Sequence, residues 1–152
     1  MFSFSVTPPS PVVQVFRASR RIARALPFFL SRVPAGFPSP ADDYLEGELD
    51  LNELLIQHPA ATFFVRLAGD SMVNAGLFDG DILVVDRAAT ASHGHIVVAV
   101  IDGDMTVKRL YSQSGRVELH AENPAYKPIV FGEGCELVIW GVVIGSVRQF
   151  KT

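Results

Sequence analysis

Leu67-Ala68-Gly69-Asp70-Ser71-Met72 is the stretch that decides how the rest of this chain is interpreted. It follows the apolar run Thr62-Phe63-Phe64-Val65 and precedes, after Asp79-Gly80-Asp81, the run Ile82-Leu83-Val84-Val85. Short apolar runs bounded by glycine and aspartate are typical of strands joined by tight turns. We therefore expect Ser71 just past a strand, near a short helical turn. There its hydroxyl can be exposed, and backbone N–H groups can face an oxyanion.

The strand pattern continues through the second half of the chain. Residues 96–101 are entirely apolar and residues 105–111 alternate, and the two runs flank Asp102-Gly103, a strong hairpin signal. Residues 116–120 and 137–147 supply further strands. Many short apolar strands at close spacing predict a mainly β body, built as a strongly bent sheet or a small barrel-like sheet.

Lys108 is the lysine that the pattern places on a strand. The chain has three lysines, of which Lys127 lies beside a proline in an expected loop and Lys151 is next to last. A serine needs a base to become a good nucleophile, and a lysine with a pKa near about 10.4 must be kept dry to serve as one. Arginine cannot deprotonate and so cannot replace it. From the residues alone, a surface lysine on a half-exposed strand remains the simpler interpretation.

Residues 31–40, Ser-Arg-Val-Pro-Ala-Gly-Phe-Pro-Ser-Pro, form a proline-rich stretch. Pro34, Pro38 and Pro40 exclude a regular helix and favour an extended chain. A protease binds its substrate extended, and Gly36 leaves the bond that precedes it unhindered. By composition alone, however, the stretch is an ordinary interdomain linker.

Three motifs in a fixed order resemble the self-cleaving peptidases of the SOS response, the family of the LexA repressor, phage repressors and the mutagenesis protein UmuD. The nucleophile motif is residues 67–72 together with residues 78–86, the lysine motif is residues 103–110, and the scissile motif is residues 35–40. Residues 51–59 are similar to UmuD in particular. The resemblance covers roughly residues 33 to 148.

The resemblance implies that Ser71 is the nucleophile, Lys108 the general base, and Ala35-Gly36 the bond that this chain cuts in itself. Some UmuD proteins carry cysteine where Ala35 stands, but alanine is usual at LexA-type sites, so we expect cleavage to survive. The implied divisions are an N-terminal arm (residues 1–35) removed by cleavage, a linker and tether (residues 36–60), and a β-rich peptidase body (residues 61–152). No cofactor or metal is implied.

The same resemblance implies partners. A filament of RecA on single-stranded DNA would stimulate cleavage. The trimmed homodimer would then act as an accessory subunit of an error-prone translesion DNA polymerase, bound to a UmuC-like catalytic subunit. Neither a membrane nor direct sequence-specific DNA binding is expected.

Composition agrees with a protein of the cytoplasm. The single Cys135 excludes an internal disulfide, no Cys/His cluster has metal-ligand spacing, and no run approaches the roughly 18 consecutive apolar residues of a membrane span. Residues 1–41 carry a net charge of +5, from five arginines and no acid, whereas residues 42–152 carry −8. This asymmetry favours an arm that lies on its own body or on a neighbouring copy.

The arm is predicted to be partly helical. Ser10-Pro11 is a typical helix start, Val15, Ala18, Ile22 and Leu26 recur at helical spacing, and Pro27 would end the helix. Such a basic amphipathic segment could pack on the protein itself or bind a membrane surface, nucleic acid or a protein groove. A second, short helix is expected to begin near Asp50-Leu51 and end before Pro59.

The sequence also offers candidates for other sites and other functions. His93, His95 and His120 could in principle belong to a Ser-His-Asp site. Asp70 is expected to be a solvated turn residue, and residues 123–126 a loop with a packing tyrosine and no chemistry. The alternative functions are a LexA-type repressor fragment, which would need a helix-turn-helix domain, and a polymerase accessory module that never cuts. A signal-peptidase relative would need a membrane anchor.

Overall fold

The computed structural model describes residues 15–17, 25–29, 35–36, 45–131 and 134–152, and it is almost entirely β. The strands are β1 (Val15–Arg17), β2 (Ala25–Phe29), β3 (Leu45–Asp50), β4 (Thr62–Arg66), β5 (Ile82–Asp86), β6 (Ile96–Ile101), β7 (Asp104–Gln113), β8 (Arg116–His120), β9 (Ile129–Val130) and β10 (Leu137–Val147). One helix, α1 (Leu51–Leu55), and two 3₁₀ turns, Pro59–Ala61 and Val73–Ala75, complete the described chain. The mainly β prediction is confirmed.

Eight strands form one antiparallel sheet in the order β1-β4-β5-β10-β6-β7-β8-β9, and β2 pairs with β3 in a separate two-stranded sheet. Within the described residues the larger sheet is open, with β1 and β9 at its edges. The first half of β10 pairs with β6 and its second half with β5, with register shifts near Gly141 and Gly145. Such irregularities increase the local bend and twist of a strand. The long β10 therefore joins the two halves of the sheet.

The sheet separates two apolar clusters, which explains why β6 is apolar throughout. Val98 belongs to one cluster, whereas its neighbours Val97 and Ala99 belong to the other. Successive side chains of a strand point to opposite faces, so β6 is covered on both sides. The first cluster contains Val65, Leu67, Met72, Leu77, Leu83, Val85, Val98 and Val107. The second contains Val97, Ala99, Leu110, Leu119 and Val142.

The hairpin between β6 and β7 is confirmed. Asp102 and Gly103 have φ values of 48° and 90°. Positive φ at both central residues is the backbone of a type I′ turn, which matches the twist of the two strands. The register sets Val97 opposite Lys108 and Ala99 opposite Thr106. Lys108 is therefore carried by a strand whose partner is fully apolar.

The helical prediction for the arm is wrong where the structure describes the arm. Val15–Arg17 is a strand that pairs antiparallel with β4, and Ala25–Phe29 is a strand that pairs with β3. The spacing of apolar residues was compatible with a helix, but the exposed edge of β4 offers N–H and C=O groups that an extended segment can satisfy. Pro27 is tolerated because β2 is an edge strand. The predicted helix start at Ser10-Pro11, together with Ala18 and Ile22, lies outside the described residues.

The second predicted helix is confirmed as α1. It begins after Asp50, whose carboxylate accepts a hydrogen bond from the backbone N–H of Asn52 at 2.9 Å. A side-chain acceptor at this position satisfies an N–H group that has no partner inside the helix. Among the described residues, no helix is long and apolar enough to cross a membrane.

The close approach of β10 to β5 predicts a glycine requirement at position 141. A Cβ atom there would lie 2.6 Å from Cγ1 of Val85, whose side chain is stiff and fully buried, and 3.3 Å from the backbone oxygen of Asp86. We expect Gly141→Ala to lower the free energy of unfolding by about 1–3 kcal/mol, measured by urea denaturation. Gly145→Ala is the control, because its nearest neighbour is the flexible end of Leu55 at 3.1 Å. Equal losses in the two variants would contradict this account.

Candidate active site

Ser71 lies in the turn between β4 and the 3₁₀ turn Val73–Ala75, as the sequence predicted. Gly69 has a φ of 87°, a conformation that side-chain-bearing residues rarely adopt, and its N–H donates to Oδ1 of Asp79 at 2.8 Å. Met72, directly after the serine, is completely buried in the first apolar cluster. The turn is thus fixed on both sides of a half-buried Ser71.

The fold brings Lys108 to Ser71, although 37 residues separate them in the chain. A hydrogen bond of 3.0 Å joins Nζ of Lys108 to Oγ of Ser71. Nζ also lies 2.9 Å from Oγ1 of Thr106 and 3.1 Å from the carbonyl oxygen of Val107. A neutral amine has two N–H donors and one lone pair. Donation to Thr106 and Val107 therefore leaves the lone pair for the proton of the serine hydroxyl.

The surroundings of Lys108 favour this neutral form. Only 8% of the residue is exposed, and Val97 opposite it on β6 is fully buried. Within the part of the chain that the structure describes, no carboxylate forms a salt bridge with Lys108. Burial disfavours the ammonium and so lowers the pKa of Lys108 below the usual lysine range. The alternative of a half-exposed surface lysine does not hold.

A buried lysine with a lowered pKa makes stability depend on pH. Between the folded pKa and the unfolded value of about 10.4, the unfolded chain binds more protons, so the free energy of unfolding rises with pH. Lys108→Met removes this dependence. We therefore expect the free energy of unfolding of Lys108→Met to exceed that of the parent by the largest amount near neutral pH. This difference should narrow by up to about 1.4 kcal/mol per pH unit between the two pKa values.

Urea denaturation at a series of pH values from neutral to alkaline would measure this difference. Lys127→Met is the matched control, because it makes the same exchange at an exposed lysine. Its difference from the parent should stay level over the same pH range. A difference for Lys108→Met that also stays level would show that the lysine gains no protons on unfolding.

Two backbone N–H groups of the turn are available to a ligand. The N–H groups of Ser71 and Met72 have no acceptor among the described residues, whereas those of Val73, Ala75 and Gly76 bond to carbonyl oxygens of the turn. Unpaired N–H groups beside a nucleophile are the usual donors of an oxyanion hole. The turn can therefore supply both an attacking oxygen and donors for negative charge on the carbonyl that it attacks.

A loop distant in sequence holds the turn from outside. Asn123 donates from Nδ2 to the carbonyl oxygen of Asp70 at 2.9 Å, and the hydroxyl of Tyr126 donates to Oδ1 of Asp70 at 2.5 Å. The backbone N–H of Asn74 donates to the carbonyl oxygen of Glu122 at 2.9 Å. Asp70 is exposed in the turn, as expected, but the prediction that Tyr126 only packs was wrong, because its hydroxyl bonds to the carboxylate of Asp70. Because 53 to 56 residues separate the partners, the sequence carried no local signal for these contacts.

The opposite side of the turn is tied to the end of the chain. Arg148, just after β10, bonds to both carboxylate oxygens of Asp81 at 2.6 Å and to the carbonyl oxygen of Gly76 at 3.0 Å. Asp81 is 2% exposed and also accepts the N–H of Phe78. The hydrogen bond from Arg148 lowers the pKa of Asp81. This charge-assisted pair fixes the segment between the nucleophile turn and β5.

Ala35 and Gly36, the predicted scissile pair, belong to the described residues. Both are exposed in a bend, and a Cβ placed on Gly36 would meet no described atom within 4 Å. In the described structure no hydrogen bond joins either residue to Ser71 or Lys108. The bond lies within residues 30–44, which connect Phe29 at the end of β2 to its partner Leu45 at the start of β3. The other residues of the proline-rich stretch 31–40 lie outside the described residues.

The three histidines make other contacts. His93 accepts the N–H of Ser112 and His95 contacts Ser92, while His120 bonds to Glu118. Within the described chain, no hydrogen bond links these rings to Ser71, so a Ser-His-Asp arrangement is not formed. No three His, Cys, Asp or Glu side chains of the described residues come together as metal ligands.

Comparison with known proteins agrees with the motifs. Residues 27–144 match the family described as Peptidase S24-like. Protein SamA of Salmonella typhimurium is 52% identical over 126 residues, which are 83% of this chain and 87% of that protein. Protein MucA of Escherichia coli is 44% identical over 140 residues, 90% of this chain and 94% of that protein.

A third relative extends the similarity to repressors. The LexA repressor of Syntrophotalea carbinolica is 47% identical over 90 residues, which are 59% of this chain and 45% of that protein. The similarity with this repressor covers less than half of it, whereas that with SamA and MucA covers most of each protein. Together the matches confirm the resemblance to the LexA/UmuD family that the motifs indicated.

Proposed function

The chain belongs to the Peptidase S24-like family, and we propose that it is a serine peptidase of the UmuD type that cuts its own Ala35-Gly36 bond. The hydrogen bond of 3.0 Å between Ser71 and a dry Lys108 carries the proposal. Nucleophilic catalysis by serine requires a base in contact with the hydroxyl, and Lys108 is placed there with a lowered pKa.

In the proposed reaction, neutral Lys108 takes the proton of Ser71 as Oγ attacks the carbonyl carbon of Ala35. The N–H groups of Ser71 and Met72 stabilise the oxyanion that forms. When the C–N bond breaks, Lys108 returns the proton to the nitrogen of Gly36, and Ala35 remains as an ester on Ser71. Water attacks this ester as Lys108 takes one of its protons. Lys108 passes that proton to Oγ of Ser71 as the ester bond breaks, and the carboxylic acid of Ala35 is released and ionises.

The position of the Ala35-Gly36 bond would allow it to enter the site for cleavage without being bound there permanently. Ala35 is six residues from Phe29, and Gly36 is nine residues from Leu45. Because an extended chain spans about 3.3–3.6 Å per residue, the bond can lie up to about 20 Å from Phe29, at the end of β2. Tethering keeps the local concentration of the bond high without holding it in the site. The same reach permits delivery to the Ser71 of the same chain or of a second copy.

The wider role follows from the family. We propose that the protein acts in the SOS response, that a RecA filament on single-stranded DNA stimulates the cut, and that the trimmed homodimer serves a UmuC-like translesion polymerase subunit. Nearly whole-length similarity to SamA and MucA supports the UmuD-type reading over a repressor fragment. The pairing of Ser71 with Lys108 supports a cutting protein over an inactive accessory module.

Cleavage can be measured directly as intact mass against time, at neutral and alkaline pH. We expect a fragment of residues 36–152, 117 residues long, that forms faster as pH rises because more Lys108 is neutral. Ser71→Ala and Lys108→Ala should lower the rate by about 10³-fold or more. Lys127→Ala, which changes an exposed lysine, should cut like the parent.

The outcomes separate the alternatives. A fragment that persists in Ser71→Ala would identify a contaminating protease and overturn the proposal. If the parent does not cut at any pH, the RecA filament is added to it. A protein that still stays intact is then the inactive accessory module.

Cleavage also has a predicted structural effect. β1 and β2 both precede Ala35, so after the cut no peptide bond joins them to the rest of the chain, and in the described structure they pair with β4 and β3. Once residues 1–35 are removed by gel filtration, β4 becomes an edge strand. We expect faster hydrogen–deuterium exchange in residues 62–66, while β6 and β7 retain their protection as internal controls. Unchanged exchange in β4 of the isolated product would contradict this role of β1.

A further inference from the structure

The peptide bond between Asp70 and Ser71 carries two groups that matter to the proposed chemistry. Its carbonyl group belongs to Asp70, and its N–H belongs to Ser71 and is free to face an oxyanion. A trans peptide is planar, so its C=O and N–H point in opposite directions. Whatever fixes the direction of the Asp70 carbonyl therefore also aims the N–H of Ser71.

Asn123 holds this carbonyl group. Its Nδ2 lies 2.9 Å from the oxygen of Asp70, whereas the other donor, the N–H of Val73, lies 3.4 Å away. The bond from Val73 belongs to the turn itself and is long. The side chain of Asn123 thus makes the shorter of the two hydrogen bonds that orient the peptide.

The loop that carries Asn123 is itself anchored. Oδ1 of Asn123 accepts the N–H of Ala125 at 3.0 Å, which orients the amide so that Nδ2 faces Asp70. Next to it, Glu122 accepts the N–H of Asn74 through its carbonyl and forms an ion pair with Arg109 through its carboxylate. Arg109 follows Lys108 on β7. The loop therefore connects the strand of the base to the turn of the nucleophile.

Tyr126 supports the same turn through its side chain. Its hydroxyl bonds to Oδ1 of Asp70, and this bond raises the pKa of Tyr126 above the usual tyrosine value. The carboxylate of Asp70 is thereby held against the loop. Burial is the cause of the lowered pKa of Lys108, with no contribution from Asp70.

We propose that Asn123 is a positioning residue for self-cleavage: by holding the carbonyl of Asp70, it aims the N–H of Ser71 at the oxyanion that forms on Ala35. The proposal rests on the proposed function and adds to it a residue outside the catalytic pair. The described hydrogen bonds of the Asn123 side chain go to Asp70 and Ala125, and none joins it to Lys108. It should therefore affect stabilisation of the transition state and leave the titration of Lys108 unchanged.

The test is the rate of self-cleavage against pH for the full chain with Asn123→Asp and Asn123→Ala. Asn123→Asp keeps the acceptor for Ala125 but replaces the donor by an oxygen, while Asn123→Ala removes the donor without adding charge. Loss of one oxyanion donor typically lowers rates by 10²–10³, so a misaligned donor should lower the alkaline plateau by about 10- to 100-fold. In Asn123→Ala the midpoint of the pH profile should stay where it is in the parent.

Asn74→Asp is the matched control. Asn74 is exposed within the 3₁₀ turn after Ser71, and no hydrogen bond of its side chain is seen in the described chain. This variant adds the same charge close to the nucleophile without removing a donor to Asp70. It should keep the plateau rate of the parent. Thermal unfolding of all three variants shows whether the fold is retained.

Each result of these measurements either supports or overturns the proposed role of Asn123. A lower plateau with an unchanged midpoint in Asn123→Ala, and a normal plateau in Asn74→Asp, supports the proposal. Parental rates in both Asn123 variants overturn it while leaving the Ser71–Lys108 mechanism intact. A displaced midpoint with a retained plateau assigns Asn123 to the surroundings of Lys108 and also overturns it. A parent that does not cut Ala35-Gly36 even when the RecA filament is added removes the proposed function and this inference together.

Discussion

The burial of Lys108 is the constraint on which the rest of the structure depends. An ammonium group loses strong hydration when it is buried, so a fold can keep this side chain inside only as a neutral amine or beside an opposite charge. Among the described residues no carboxylate forms a salt bridge with Lys108, and its burial favours the neutral amine by lowering the pKa. β6 is apolar on both faces, Val97 lies opposite the lysine on the paired strand, and Nζ lies within hydrogen-bond distance of two neighbouring acceptors. In the neutral form, the lone pair of the amine would remain for Ser71, whose Oγ lies 3.0 Å from Nζ.

The parts of this arrangement that the sequence predicted are local. Alternation and turn residues identified β4 to β7, and Asp102-Gly103 identified the hairpin because few other residue pairs accept two positive φ angles. The Ser71 turn followed from glycine and aspartate between apolar runs. For Lys108, a strand position with an apolar partner was visible, but contact with Ser71 was not. That contact depends on how the sheet bends around β10, which no local pattern encodes.

The parts that the sequence missed depend on partners far along the chain. Val15–Arg17 contains β-branched and aromatic residues that suit a strand, yet three residues become one only where an open edge such as that of β4 is available. Asn123 and Tyr126 showed the same limit, since an Asn-Pro turn is recognisable but its bond to Asp70 is not. Local propensity was informative for elements that form within about ten residues, and it was overridden where tertiary pairing supplied the backbone partners.

In the proposed site, Lys108 and the backbone N–H groups of the turn have separate roles and respond differently to pH. Lys108 sets how much of the protein is active at a given pH, whereas the N–H groups of the turn set how fast the active form reacts. Lys108 is 8% exposed, and Ser71 beside it is half-buried. Placing the chain around Ala35 over Ser71 would exclude more water and disfavour the ammonium further. In this mechanism, delivery of the Ala35-Gly36 bond therefore also favours the neutral, basic form of Lys108.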